Sequence, residues 1–352
     1  MTELETVITA ILTAGAAKKP AVLATLMRVA GSAYRGPGAR MVVLPDGVCV
    51  GAISGGCLEK DVAAHAERVQ ASGKATAVTY DLTADDDMPW GLGMGCAAKL
   101  DVLLEPVPAG AVPPYLAFMT EAMQDRVPAA VATLFRAPEG SGLAVGTRLM
   151  LRADGDATGA LAESAVGGSA ITDAERVLRE ERTDAVEYKT PNGSVGVLIE
   201  YVPRPIALVL CGDGNDTGPL AALGVEMGWQ VRRVTKDDPL GALDDRTAAV
   251  VMTHNYPRDL LLLESLLKSH TRYLGLLGPR QRTQRLLDEL KQRGAEPNVI
   301  QLGKLHAPAG LDLGAETPQE IALSIAAEIR AVMGGRSGGM LRERRGPIHD
   351  RR

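Results

Sequence analysis

The feature that most constrains this 352-residue chain is that its first half matches itself. Shifted by 108 residues, PAVLATLMR at 20–28 meets PAAVATLFR at 128–136, and GARMVVLPDGVCVGAI at 38–53 meets GTRLMLRADGDATGAL at 146–161. At a slightly different shift, DVLLEPVP (101–108) meets GVLIEYVP (196–203). Similarity over three separated blocks implies two copies of one supersecondary unit within a single domain. Each copy reads as an apolar strand, a loop, a hairpin turning at Asp-Gly (46–47 and 154–155), a helix and a closing strand. Asp-Gly between β-rich runs is a strong hairpin signal. The helices are expected at 61–72 and 173–182.

Residues common to both copies should serve the fold, and residues found in one copy should serve chemistry. Arg40, Asp46 and Gly47 recur and are read as structural. Ser54, Gly55, Gly56 and Cys57 instead face Ala162, Glu163, Ser164 and Ala165, and Arg35 faces Leu143. The loop TADDDMPWGLGMGC has no counterpart, because the second copy passes through the short TPNGS to its last strand. Arg35, Ser54–Cys57 and the Trp90–Cys96 loop are therefore the candidate functional residues.

Cys57 falls where a strand ends and a helix begins, and the partial positive charge of a helix N-terminus lowers a thiol pKa. Gly55 and Gly56 let the backbone approach a ligand and aim N–H groups at an anion. Cys96 repeats the scheme after Gly91, Gly93 and Gly95. Two softened thiols, glycine nests and Arg35 suit a soft metal carried by an anionic, phosphate-bearing ligand. The competing reading, that both cysteines are small buried hydrophobes, stays open at this point. Cys49 and Cys211 are read as core. A zinc site is disfavoured, since there is no CxxC and His65 lies mid-helix.

Composition narrows the classes. Apolar residues make up 46% and charged residues 23%, ordinary globular usage. Aromatic residues are only 3% and the formal charge is −5, which disfavours both the stacking platforms and the basic face that nucleic acid requires. The start MTELETVITAILTAG lacks the basic stretch of a signal peptide, and no apolar run approaches the roughly 20 residues of a membrane span. A reduced, cytoplasmic protein with neither a membrane nor a nucleic-acid partner is expected. The Gly- and Arg-rich tail 336–352 is expected to be mobile.

After the hinge VPRP (202–205), PIALVLCGDGNDTGPL gives a buried strand, then Gly212, Gly214 and Gly218 opening a helix. Strand 248–253, helix 258–269, strand 272–278 and helix 280–294 follow, the alternation of a Rossmann-like parallel sheet. Thr317, Pro318 and Glu320 predict the start of a last helix. His254 and Asn255 follow a strand's carboxyl end, where open α/β sheets bind ligands, so they join the three glycines as a candidate nucleotide site. Against NAD(P), the end of the second strand reads RRVTKDD, with Thr235 and Lys236 where a ribose-binding acid belongs. Asp213 and Asp216 also put negative charge where a pyrophosphate would sit. The expected architecture is thus α/β: a duplicated N-terminal α/β domain at 1–203 (copies at about 20–108 and 128–203), a Rossmann-like domain at 204–335, and the tail.

GSAYRGPGARM (31–41), GAISGGCLE (51–59) and WGLGMGCAAKLDVLLEP (90–106) resemble the XdhC/CoxI family of xanthine dehydrogenase accessory factors. VVMTHNYPRD (250–259), YLGLLGPRQR (273–282) and PAGLDLGAETPQEIALSIAAEI (308–329) are similar to that family's C-terminal domain, so the likeness covers nearly the whole chain. The resemblance implies a chaperone, not an enzyme, that binds the molybdenum cofactor in its molybdopterin form. Such a protein guards the cofactor during exchange of an oxo ligand for sulfur and inserts it into an apo molybdenum hydroxylase. It further implies a cysteine desulfurase and a molybdopterin nucleotidyltransferase as partners, a homodimer, and Cys57 and Cys96 in contact with the cofactor; the one-copy pattern assigns these two thiols to its molybdenum end. The chain departs from the family at GCAAK, where Ala97 and Ala98 stand in place of further glycine. The alternative function is an NAD(P)-dependent oxidoreductase built on the Rossmann half.

Overall fold

The structure is a computed structural model and describes residues 2–31, 33–56, 58–82, 98–235 and 238–345. It divides into two compact units, Thr2–Arg204 and Pro205 onward. Thr2 and Glu5 form a capping box that starts α1 (Glu3–Ala16). The first copy continues through β1 (Ala21–Gly31), β2 (Arg40–Val43), β3 (Cys49–Gly51), α2 (Glu59–Ser72), β4 (Thr76–Asp81) and β5 (Ala98–Val107). The second comprises α3 (Pro114–Gln124), β6 (Ala129–Arg136), β7 (Arg148–Arg152), α4 (Gly167–Glu180), β8 (Asp184–Thr190) and β9 (Gly193–Val202).

Both copies build an antiparallel sheet with the same strand order, β3-β2-β1-β5-β4 and β7-β6-β9-β8, and the place of β3 in the second is held by one bridge, Met150 to Thr158. The duplication runs deeper than the matched blocks. α4 starts and stops 108 positions after α2, and the residues ending them, Gly73 and Glu181, are both left-handed. β1 and β6 bulge at equivalent points, and the extra residues Met27 and Phe135 pack with Leu103 and Leu198 where the sheets meet.

Crossed ion pairs join the copies. Arg40 donates to both carboxylate oxygens of Glu200 at 2.9 and 2.6 Å, while Arg148 donates to both of Glu105 at 2.8 and 2.5 Å. The ring of Tyr115 lies 5.7 Å from one guanidinium and 3.7 Å from the other. Glu105 and Glu200 occupy matching places in the third sequence block, so each copy's arginine meets the other copy's glutamate. Arg28 and Arg136, also equivalent, both donate to Asp101 and Glu187. Arg40 is structural, as its recurrence implied. The Asp-Gly turns form as expected: Asp46 accepts from the Val48 amide, and Gly47 has φ +79°.

The helices begin earlier than expected, by two residues in α2 and by six in α4. Gly167 and Gly168 are poor helix formers, but Gly167 is buried so tightly against the Ala162 carbonyl that no side chain fits. Packing overrides propensity there.

The second unit comprises β10 (Ala207–Cys211), α5 (Thr217–Glu226), β11 (Gln230–Val234), β12 (Thr247–Val251), α6 (Tyr256–Lys268), β13 (Tyr273–Leu276), α7 (Arg280–Gln292), α8 (Val299–Gly303), β14 (Leu305–His306) and α9 (Pro318–Met333). Its sheet is parallel throughout, in the order β11-β10-β12-β13-β14, the Rossmann-like arrangement the alternation predicted. α5 and α9 cover one face and α6 and α7 the other. Thr317, Pro318 and Glu320 start α9 as predicted. No described helix is long and apolar enough to cross a membrane.

Candidate functional site

Of the one-copy residues, Cys57, Gly93, Gly95 and Cys96 lie outside the described residues. Arg35, Ser54, Gly55 and Gly56 lie within them and can be placed. After β3 the chain makes a turn that a single carboxylate organises. Glu59, the first residue of α2, accepts from the Ser54 amide at 3.1 Å, the Ser54 hydroxyl at 2.6 Å and the Leu58 amide at 3.1 Å. The Ser54 hydroxyl oxygen in turn accepts from the amides of Gly56 at 3.2 Å and Leu58 at 3.3 Å. Ser54 is buried, whereas Gly55 and Gly56 face solvent. The clasp fixes the turn from inside and leaves its outer edge bare.

That edge is open. Gly56 has φ +107°, and no described atom lies within 4 Å of where a Cβ would stand. The conformation itself demands glycine here, because a side chain at such φ is strained. Among the described residues the Gly55 amide has no hydrogen-bond partner, and beside Gly55 lies the ring of Tyr34, 70% exposed. The expected role of the Ser54–Gly56 amides thus narrows to Gly55, since Glu59 and the Ser54 hydroxyl hold the other two. Arg35 comes to Glu3 of α1, whose other oxygen accepts from the Arg40 amide at 3.1 Å. Its guanidinium is one-third exposed and already paired.

Sequence reasoning missed Glu59, Tyr34 and Glu3. The first two were within reach: Glu59 faces Gly167 and Tyr34 faces Gly142, so the copy comparison that selected Arg35 selects them too. Glu59 also qualifies the argument for thiol softening. Glu59 and Asp61 in the first turn of α2 put negative charge at the helix end on which that argument relies. Burial, with the Glu59 charge added, pushes the Cys49 thiol up. Cys211 is fully buried in the second unit's core, and burial pushes its thiol up to about 11. Cys211 fits the core reading, whereas Cys49, on the edge strand β3, is only half-buried against the first copy's core.

In the second unit, Gly212, Gly214, Gly218, His254 and Asn255 were the candidate nucleotide residues. Gly212 has φ +147° and passes too close to the Met252 carbonyl for any side chain, so the strand crossing alone requires glycine. At Gly218 a Cβ would meet only ordinary contact. Space beside Gly214 is taken by Asp216, whose Oδ1 lies 2.6 Å from a Cβ built there and is buried without a partner among the described residues. The other oxygen of Asp216 is 2.8 Å from His254 Nε2, with His254 at φ +53°. Asn255 caps α6 by accepting the Arg258 amide. Arg282, a potential phosphate ligand, donates to the buried Asp259 at 2.7 Å. Asp216 thus puts a carboxylate beside Gly214 at the start of α5, the helix end that would otherwise favour an anion. Thr235 donates to Asp238, and Lys236 and Asp237 lie outside the described residues. Among the described residues no group of three or more His, Cys, Asp or Glu side chains could hold a metal ion.

Comparison with known proteins accords with both units. Residues 14–81 match the model of the XdhC and CoxI family, and residues 208–329 match that of the XdhC Rossmann domain. The chain is 30% identical over 342 residues to a probable xanthine dehydrogenase subunit of Bacillus subtilis, covering 89% of this chain and 93% of that one. It is 24% identical over 318 residues to the molybdenum cofactor insertion chaperone PaoD of Escherichia coli, covering 89% and 84%. A crystal structure of a xanthine dehydrogenase from Bacillus halodurans aligns with a TM-score of 0.71 at 26% identity, over 96% of this chain and 97% of that one. With both halves matched and a relative of this identity aligned over nearly its full length, the chain belongs to the XdhC and CoxI family.

Proposed function

We propose that this protein is an accessory chaperone for a molybdenum hydroxylase of the xanthine dehydrogenase type. It binds the molybdenum cofactor in its molybdopterin form, shields it while an oxo ligand is exchanged for sulfur, and inserts it into the apo hydroxylase. The observation that carries the reading is the turn at Ser54–Gly56, rigid within, bare at its edge, and found in one copy alone. The relative named as a molybdenum cofactor insertion chaperone supports the choice of cargo.

In this reading Cys57 and Cys96 meet the dithiolene–molybdenum end, where soft sulfur donors match a soft metal. The Gly55 amide and Arg35 receive phosphate or pterin oxygens, and Gly93 and Gly95 form the second nest. Glu3 holds Arg35 until the phosphate competes for it, so the arginine is positioned before cargo arrives. The protein supplies binding and shielding and is not itself an enzyme. A cysteine desulfurase and a molybdopterin nucleotidyltransferase are its further partners, its compartment is the cytoplasm, and it works as a homodimer. An NAD(P)-dependent oxidoreductase is not adopted, because the Asp216 carboxylate beside Gly214 disfavours a pyrophosphate there.

Anaerobic purification tests the reading. The wild type retains a pterin chromophore and molybdenum and does not bind NADH in titration. Purified protein that never holds cofactor, or that binds NADH tightly, contradicts it.

A further inference from the structure

A cavity of about 550 Å³ runs beside α2, away from the glycine turn, over the start of β1 and the end of β2. Pro20, Val22, Val43 and Pro45 supply much of its floor, and one stripe of α2 forms its wall: Lys60, Ala63, Ala64 and Glu67. All four helix residues are exposed or half-exposed, and among the described residues the side chains of Lys60 and Glu67 make no hydrogen bond or ion pair.

The second copy shows that the groove is not required by the fold. In α4 the equivalent stripe reads Gly168, Ile171, Thr172 and Glu175. Ile171, with Leu178 two turns further on, packs onto that copy's own core, where α2 has Ala63 and Gln70. The first copy has an open apolar groove at the place where the second has aliphatic filling. It also carries Lys60 where the second copy has Gly168, so the pair of opposite charges seven residues apart is peculiar to α2.

We infer that this groove is where a second copy of the chain docks, with α2 packed antiparallel against α2 of its partner about a twofold axis. The charge pattern is self-complementary in that arrangement. If the helices cross at Ala63 and Ala64, each Lys60 stands opposite the other chain's Glu67, and the interface is isologous. Alanines at the crossing point allow close approach, near the 8 Å end of the usual 8–10 Å interaxial range. The neighbouring helix covers the apolar floor that Ile171 and Leu178 cover in the second copy. The inference rests on the homodimer part of the reading above and names its surface.

Sedimentation velocity of the full chain across a concentration series tests it, with cofactor retention followed in parallel. A dimeric wild type is expected, Lys60→Glu and Glu67→Lys each raising the dimer dissociation constant at least about tenfold. The doubly exchanged variant, Lys60→Glu with Glu67→Lys, should return to within about threefold of wild type, because opposite charges face each other again. Ala63→Ile with Gln70→Leu, which transplants the second copy's filling, should give monomers with cofactor retention unchanged. A monomeric wild type overturns both the homodimer reading and this surface. A wild-type dimer indifferent to the charge variants, or not restored by the exchange, overturns the surface alone, as does a small molecule occupying the groove of the dimer.

Discussion

The first and second copies of the N-terminal unit agree wherever the sheet needs support and diverge at one edge. Arg40–Glu200 and Arg148–Glu105 are the same ion pair made twice. Gly51 and Gly159 both cross a neighbouring carbonyl, of Arg40 and of Arg148, where a Cβ would stand 2.5 Å away. At the entry to α2, by contrast, Ser54 and Glu59 clasp a bare turn. At the entry to α4, Ser164 donates to the Leu161 carbonyl and Gly167 replaces the glutamate. A duplicated fold thus contains its own control: what recurs holds the structure, and what does not recur is free to bind.

The largest effects should come from the recurring pairs. Removing one partner of a buried ion pair typically costs about 3–5 kcal/mol, because it leaves the other charge unpaired. Both Glu200→Ala and Glu105→Ala should lose that much in urea unfolding, with near-equal values. A cost below about 1 kcal/mol for either would break the symmetry argument. Glycine substitutions sharpen the comparison. Gly51→Ala and Gly159→Ala add a backbone clash to a left-handed strain and should each cost about 2 kcal/mol. Gly56→Ala meets no described neighbour, should cost less in stability, and should lower cofactor retention, which Gly159→Ala leaves unchanged.

The second unit has no duplicate and serves as an outside reference. Burial pushes the Glu328 carboxyl up, but hydrogen bonds from His306, Tyr273 and the Gly310 amide pull it below the ordinary 4.5. A depressed carboxylate contributes stability that is full above 4.5 and is lost as pH falls through its folded value. Glu328→Gln should cost about 1.5 kcal/mol at neutral pH and flatten the acid limb of thermal unfolding. An unchanged acid limb would show that other groups set it. The smallest effect, at Ser164, comes from comparing the turns themselves. Ser54→Ala removes a buried hub and should cost about 1.5 kcal/mol, whereas Ser164→Ala should cost about 0.5 kcal/mol. Equal costs would mean that the clasp is no special feature of the first copy.

Much of this was legible in the residues. The 108-residue shift located both sheets, the Asp-Gly turns and the structural role of Arg40, because such features leave matching residues in each copy. The Rossmann alternation was readable from apolar runs separated by helical spacing. α1, α3 and α8 were not foreseen, although Thr2 and Glu5 form a capping box at α1 and Asn298 and Gln301 one at α8. The long-range pairs were invisible, since nothing local links Arg40 to Glu200 or Arg35 to Glu3. Burial against Ala162 made Gly167 helical against its propensity, and only packing could reveal that. Asp216 was readable as negative charge where a pyrophosphate would sit, but its contact with His254, 38 residues away, was not.

The decisive measurement is anaerobic cofactor occupancy, by molybdenum content and pterin absorbance, in wild type, Cys57→Ala, Cys96→Ala and the control Cys49→Ala on strand β3. Loss of about tenfold or more in affinity at positions 57 and 96, with Cys49→Ala close to wild type, is the predicted result. Full occupancy in either of the first two variants would contradict the claim that the first copy's two glycine-flanked thiols hold one cargo.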